Sequence, residues 1–456
     1  MERTTATNPS LPFVAAMVAR MTTTAEALSA WASATPRTLA EVEQQTLVAV
    51  QGLGNALLAG VCEVLAATTA VPASARPHPC ACGHPVTVVH QRRAQVTTLL
   101  GPIVLTRAYY SCPHCHRGHA PLDRQLGYRA GSTSAGLDEL LALLGATVDS
   151  FAAASTLLER LTLVHVCPNL ARTATETLGQ VLQATEQQTV IAAWEAGTLP
   201  TAVATPPRLC LSMDGVMVHT EEGWREYKLG SVYTTATRPS TTRPGREEVY
   251  ARDVSYIGDV TDAATFGQRL WCEAARRGVL TAREVVIVAD GAHWIWDLAA
   301  EHFAEATQIV DWYHATHYLW QAAHAVYGEG TPLAKRWAKR RLAELWAGQV
   351  PKVLAALRRH AHRGTAVEDA LTYYTNHQHR MCYADYRARG LPIGSGTMES
   401  GCKQIVTARL KQAGMIWSLA GARAVAAVRT WLKSDRWHEA MALRPPPQRT
   451  YQRRAA

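Results

Sequence analysis

From Arg208 to Asp311 the chain passes through apolar strand-like runs and amphipathic stretches in an order that few folds accept. Arg208–Met213, Arg225–Thr234 and Asp253–Asp259 read as three strands. Thr261–Gly278 follows as a helix with Thr261 as its N-cap. Glu284–Ala289 is a fourth strand, a helix surrounds Trp294–Phe303, and Gln308–Asp311 is a fifth strand. A largely helical stretch then runs from His314 to Tyr386. After Gly390-Leu-Pro-Ile-Gly-Ser-Gly396 a final long helix starts near Met398. The order β-β-β-α-β-α-β followed by a late helix predicts an α/β core with helices flanking one sheet.

Three acids sit at telling places in that order. Leu211-Ser-Met-Asp214-Gly and Ile287-Val-Ala-Asp290-Gly each end an apolar strand in an aspartate. Gly394-Ser-Gly-Thr-Met-Glu399-Ser delivers a glutamate where the last helix begins. The order is that of an RNase H-like sheet, whose first and fourth strands are neighbours, so Asp214 and Asp290 can converge across 76 residues. Glu399, another 109 residues on, joins them only if the helical stretch loops out and returns as an inserted domain. Carboxylates presented this way suit Mg²⁺ or Mn²⁺, two ions per site, because these cations prefer hard oxygen ligands and leave positions open for phosphate. Each Asp-Gly alone is a common strand-ending turn, and an acid in a first helical turn is common too. The combination carries the reading.

The residues Met213-Asp214-Gly215, Ala289-Asp290-Gly291, Asp311-Trp-Tyr-His314 and Pro392-Ile-Gly-Ser-Gly-Thr-Met-Glu399-Ser resemble bacterial insertion-sequence DDE transposases of the Kra type, related to the wider Mutator-like group. The likeness runs from about Cys80 to Trp437 and is weakest before Arg208. It implies a metal-binding triad at Asp214, Asp290 and Glu399, with Asp311 and His314 beside it, His314 serving proton transfer or phosphate contact. It also implies an all-helical insertion before the glutamate and a zinc-ribbon-like element near the N-terminus. The activity implied is metal-dependent DNA cleavage and strand transfer at the ends of a mobile element. A nuclease of RNase H-like type that cuts without joining, and a non-catalytic DNA-binding regulator derived from a transposase, are the alternatives.

The rest of the chain supplies modules. Residues 10–70 read as helical, with Thr38 and Glu41 in a capping-box pattern. Pro72–Pro79 reads as a linker, and Val86–Thr98 and Ile103–Tyr110 as a hairpin around Gly101-Pro102. Cys80 and Cys82 precede the hairpin and Cys112 and Cys115 follow it, the layout of a zinc ribbon holding Zn²⁺. Cys80-Ala-Cys82 is one residue short of the usual spacing, so His78, His84, His114, His116 and His119 stay open as ligands. Leu137–Leu144, Phe151–Leu163 and Ala171–Leu182 suit a helix-turn-helix, with Arg172, Thr173, Thr175 and Glu176 opening the last helix. The division expected is 1–75 helical, 76–125 hairpin, 130–197 helix-turn-helix-like, 208–313 and 389–440 RNase H-like core, 314–388 insertion and 441–456 basic tail.

The formal charge is +9 and the pI near 9.1, as a nucleic-acid partner favours. Lys335, Arg336, Lys339, Arg340, Arg341, Arg358 and Arg359 cluster in one stretch, and Arg409 and Lys411 follow Glu399; all are expected to meet DNA phosphates. Double-stranded DNA is the expected partner. A homodimer or larger assembly is expected from the need to hold two ends. No run approaches the ~20 apolar residues of a membrane span, so a cytoplasmic, nucleoid-associated protein without a membrane partner is expected. Ten cysteines, only four of them clustered, fit one metal site better than a disulfide framework.

Overall fold

In the computed structural model, which describes residues 10–69, 78–80, 82–86, 88–128, 131–240 and 247–444, the chain is mixed α/β. The linker at 72–77 and the basic tail beyond Arg444 lie outside the described residues. Two compact units divide the chain, 1–175 with 444–456 and 176–443.

The first unit opens with helices α1 (Ser10–Ala34) and α2 (Leu39–Thr69). The capping box forms: the Thr38 N–H donates to Glu41 Oε2 at 2.7 Å and the Glu41 N–H to Thr38 Oγ1 at 3.3 Å. Strands β1 (Val88–Thr98) and β2 (Gly101–Ser111) make an antiparallel hairpin. Its turn is Leu99-Leu100 rather than Gly101-Pro102, because Thr98 Oγ1 closes the loop onto Gly101 O at 2.8 Å. Alternation along the hairpin buries Ala94, Val96, Ile103 and Leu105 against Cys62 of α2. Asn55 fastens the contact by donating to Leu100 O and Pro102 O.

Among the described residues one helix, α2, is long and apolar enough to cross a membrane, by length and composition alone. Helices α3 (Ala135–Thr147), α4 (Phe151–Thr162) and α5 (Pro168–Glu195) follow. Ser134 and Ser150 cap the first two, and Leu137, Leu141, Leu158, Val164 and Ala171 form their core.

In the second unit five strands form one mixed sheet: β3 (Arg208–Thr220), β4 (Gly223–Pro239), β5 (Glu247–Asp259), β6 (Glu284–Ala289) and β7 (Thr307–Val310), in the spatial order β7-β6-β3-β4-β5. Strand β3 runs parallel to β6, and β6 parallel to β7; β4 is antiparallel to both β3 and β5. The sequence of β6, Glu-Val-Val-Ile-Val-Ala, is nearly all apolar because this strand is covered on both faces. Helices α6 (Ala263–Arg276) and α7 (His293–His302) cover one face; Phe266 and Leu270 of α6 press on Gly230. Asp262, not Thr261, caps α6, since its carboxylate accepts the Thr265 N–H at 2.8 Å. The opposite face receives α13 (Gly396–Gly401), whose Gly401 lies against Tyr256 of β5.

Between the two passes lie α8 (Trp312–Tyr327), α9 (Pro332–Trp346), α10 (Val350–Arg359), α11 (Thr365–His377) and α12 (Tyr383–Ala388). They share the sheet's core: Leu345, Val353, Leu357, Ala370 and Tyr374 belong to one buried cluster with Ile287, Val288 and Ile309. Tyr383 and Tyr386 donate their hydroxyls to Val310 O and Gln308 O, occupying carbonyls of edge strand β7. The ends of the stretch meet, since the Trp312 N–H donates to Ile393 O at 2.8 Å.

Asp259 at the end of β5 is fully buried and accepts from Arg269 of α6 at 2.8 Å and from Arg423 at 2.6 Å. Asp259→Ala leaves the buried Arg269 guanidinium with only the more distant Glu186 carboxylate, at 3.7 Å. We expect a loss of about 3–5 kcal/mol in chemical denaturation; a change below about 1 kcal/mol would show that the network is dispensable.

Candidate functional site

The register of the sheet decides where the acids lie. Strand β3 pairs with β6 as Arg208↔Glu284 through Leu211↔Ile287, an offset of 76 residues. That offset is also the separation of Asp214 and Asp290, so the two acids stand level on neighbouring strands. Strand β6 pairs with β7 as Val286↔Thr307 through Ala289↔Val310, and the Asp311 N–H donates to Ala289 O at 2.7 Å. Asp311 therefore stands level with Asp290. Asp290 and Asp311 directly follow the last residues of β6 and β7. Asp214 lies midway along β3, which runs on to Thr220 instead of ending at the aspartate as the sequence suggested. The three acids share one level, on strands about 4.8 Å apart, at the end of β6 and β7 where α/β sheets take ligands.

Their surroundings differ. Asp214 Oδ1 accepts its neighbour Gly215 N–H at 2.7 Å, and Oδ2 accepts the Cys402 thiol at 3.4 Å. Burial, then the charge of Asp290, raises the Asp214 carboxyl above its ordinary range. Asp290 Oδ1 accepts the Ala292 N–H at 2.9 Å. A Cβ on Gly291 would come 2.3 Å from Tyr373 Cε2, so the residue after Asp290 must be glycine for α11 to approach.

Asp311 is occupied on both oxygens. Oδ1 caps α8 by accepting the His314 N–H at 2.8 Å and faces His314 Nδ1 at 3.3 Å. Oδ2 accepts the Ser395 N–H and, at 2.8 Å, the Ser395 hydroxyl. Burial opposes its ionisation, but the hydrogen bonds from His314 and Ser395 outweigh burial and hold its carboxyl below the usual range. Asp311 thus positions the glycine loop and His314. The Asp311 hydrogen bond raises the His314 imidazole, with Asp290 and Asp214 adding charge from the same end of the sheet.

Glu399 rises from that loop on α13. It is exposed and pairs with Lys403 at 2.7 Å, a surface pair. One turn later Cys402, which opens a π-helical segment (Cys402–Thr407), reaches Asp214. The helix therefore brings Glu399 to within one turn of the Asp214 contact. The oxygens of Asp214, Asp290 and Glu399 do not all lie within 4.8 Å of one another; among the described residues such groups involve cysteine and histidine alone. Cys402 and Ser395 were missed in the sequence. The three-residue step from Glu399 to Cys402, one helical turn, is a signal that could have found the first.

A second group lies in the first unit. Cys80, Cys82, Cys112 and Cys115 bring their sulfurs within 4.8 Å of one another, an arrangement that can hold a metal ion. Cys80 and Cys115 are 3.6 Å apart and Cys82 and Cys112 3.7 Å, far beyond a disulfide. A tight turn compensates for the short Cys80-Ala-Cys82 spacing. The Gly83 N–H donates to Cys80 O, the Cys80 N–H to His84 O, and Gly83 takes φ +85°. The Cys115 N–H pulls the Cys112 thiol down to about 6. The His84 N–H favours the Cys82 thiolate, but burial and the thiols of Cys115, Cys80 and Cys112 push it up to about 12. His84 and His114 stack at 3.5 Å and form a further group with Cys82.

The basic residues separate by burial. Lys335, Arg336, Lys339 and Arg340 are exposed at the spacing of one face of α9, and Arg358 and Arg359 are exposed at the end of α10. Lys411 is exposed. Arg341 and Arg409 are buried and leave the set expected to meet DNA: Arg341 donates to Glu344 at 2.8 Å, and Arg409, 1% exposed, lies over the Trp417 ring at 4.9 Å. In the helix-turn-helix-like segment Arg172 and Thr173 are exposed, whereas Thr175 is buried and bonded to Ala171 O.

Scans against protein-family models and against curated proteins return no match to this chain.

His314 yields a pH prediction. Its folded pKa is raised, so its contribution to stability is full below the ordinary imidazole value of about 6.5 and is lost as pH rises through the raised folded value. An NMR titration should place its midpoint above about 6.5, and Asp311→Asn should lower it. A wild-type midpoint at or below the ordinary value refutes the coupling.

Proposed function

We propose that the chain is a DNA transposase of DDE type, with an RNase H-like core interrupted by an all-helical insertion, resembling insertion-sequence transposases of the Kra type. The observation that carries the reading is the common level of Asp214 and Asp290 on adjacent parallel strands, with the Glu399 helix touching Asp214 through Cys402. The strand order supports it. Numbered by their place in the chain, the strands lie 5-4-1-2-3 across the sheet with only the second antiparallel to its neighbours, as the RNase H-like topology requires.

Asp214, Asp290 and Glu399 would hold the divalent ions. The fit rests on donor chemistry: two partly buried aspartates stand at one level, and burial, then the charge of Asp290, raises the Asp214 carboxyl, so a divalent cation between them would favour its charged form. Two Mg²⁺ or Mn²⁺ ions, when bound, supply activation of a water or DNA 3′-hydroxyl and stabilise the departing oxygen. The protein's own part is positional. Strands β3 and β6 fix two carboxylates, the Asp311–Ser395 bonds fix the loop that leads to the third, and His314 presents an imidazole raised toward its charged form to a phosphate or a leaving oxygen. The α9 stripe supplies sequence-independent affinity for the DNA backbone.

Asp214→Asn, Asp290→Asn and Glu399→Gln should each cut Mg²⁺-dependent strand cleavage of labelled element ends by at least about 100-fold while DNA binding survives. Cleavage by the Asp290→Asn protein at the wild-type rate would falsify the assignment. Strand transfer by the wild type in the same assay separates a transposase from a nuclease that does not join.

For the four cysteines we propose zinc. A tetrahedron with Zn–S bonds of about 2.3 Å has edges of roughly 3.8 Å, close to the 3.6 and 3.7 Å observed. Elemental analysis should give about one zinc per chain, lost in Cys112→Ser. Chelation should lower the melting temperature of the wild type and leave that of the variant unmoved. Less than half an equivalent in freshly purified protein sinks the proposal.

A further inference from the structure

Beside the candidate active site lies an open cavity of about 790 Å³ that the chemistry above does not use. Trp312, Tyr313, Trp346, Arg387, Gly394 and Glu247 are among its lining residues. It is built in two parts. Trp346 is immobilised: the Arg387 guanidinium lies 3.7 Å over its ring and donates to its carbonyl at 2.8 Å, and Trp312 meets its edge at 5.0 Å. Tyr313 is the opposite. Its ring is 72% exposed. The ring rests on Gly394, where an added Cβ would come 3.2 Å from Cε2. Its backbone is not free to move away, because Trp312 donates to Ile393 O and His314 donates to Asp311.

Tyr313 stands exposed on the first helical turn of α8, so a large aromatic surface faces solvent at the cavity. Tyr313 is one residue from His314 and two from Asp311, and its ring lies against Gly394 of the loop that leads to Glu399. The cavity falls in the size range of a small-ligand site, large enough for one nucleotide. Its rim carries Glu247 and Glu248, which repel a bare phosphate but can accept from the amino edge of a base. Arg387 lines the same cavity, its guanidinium stacked on Trp346.

We propose that this cavity receives an unpaired nucleobase of the bound DNA strand, stacked on the exposed face of Tyr313, so that the strand next to the scissile phosphate is held unpaired. The inference rests on the reading of the chain as a DNA-processing enzyme. Stacking on an aromatic ring tolerates any base and needs no metal.

The test uses the full-length protein without divalent ions and two duplexes of identical length. One is fully paired; the other carries a single unpaired 2-aminopurine. Wild type and Tyr313→Phe should quench the 2-aminopurine fluorescence and bind the second duplex more tightly than the first. Tyr313→Ala should not quench, and its affinity for the second duplex should fall by at least about fivefold, with its affinity for the paired duplex unchanged. Tyr313 is on the surface, so the alanine variant keeps the fold. Quenching by Tyr313→Ala equal to wild type overturns the proposal, as does equal wild-type affinity for both duplexes. Because the readout needs no cleavage, it separates from the triad. Loss of stacking with Asp290-dependent cutting intact sinks the cavity alone, and stacking without any cutting sinks the transposase reading alone.

Discussion

The carboxylate of Asp311 holds the second unit's two chain passes together at the end of the sheet. It is 1% exposed and engages four partners: the His314 N–H and Nδ1 on one oxygen, and the Ser395 N–H and hydroxyl on the other. A buried carboxylate is costly unless its lone pairs are filled, and here the groups that fill them come from both ends of the helical insertion. The entropy of closing a long loop grows only logarithmically with its length. A few directional bonds at the junction therefore suffice to return the chain to the sheet. The Trp312–Ile393 bond and the Arg208 bonds to Gly390 O and Arg389 O reinforce the same closure.

The insertion in turn depends on what it packs against. Tyr374 reaches Ala315 O, Tyr383 reaches Val310 O and Tyr386 reaches Gln308 O, so edge strand β7 is covered rather than open. Gly291 admits Tyr373 beside Asp290 at a distance no side chain would allow. The Asp-Gly pair read in the sequence as a turn signal has a packing reason at this position. Most of the buried side chains of these helices belong to the same core as the strands, and a small separate cluster of Ala323, Ala334 and Ala338 joins α8 to α9.

Much of this was legible because it is periodic or local. Strand β6 announced itself by an unbroken apolar run, α2 by a capping box, and the level of Asp214 and Asp290 by strand order alone. What stayed hidden was partnership across the chain. Arg341 and Arg409 look like their exposed neighbours in sequence, yet each is buried by an aromatic ring and its surroundings. Asp311 reads in the sequence only as an acid beside the triad, yet hydrogen bonds from both ends of the helical insertion occupy both of its oxygens. The Cys80–Cys82 spacing looks too short until the Gly83 turn, with its positive φ, is seen. None of these follows from spacing, because each depends on what folds back onto the residue.

The three acids also differ in freedom, and that difference has a physical consequence. Asp214 within β3 and Asp290 just past β6 each accept a nearby backbone N–H, which limits how far their mutual repulsion can relax by movement. Glu399 stands on a helix behind a glycine loop, exposed, with Lys403 one turn away as its partner. An exposed ion pair of this kind is worth about 0–1 kcal/mol, little enough for a cation near Asp214 and Asp290 to outbid it. On the proposed reading, two acids define the site in advance and the third closes it. Lys403 then acts as a temporary counter-ion that keeps a third negative charge away from Asp214 until metal and DNA arrive. Burying Glu399 beside them would instead add one more like charge, a cost that is avoided because its carboxylate is exposed and paired with Lys403.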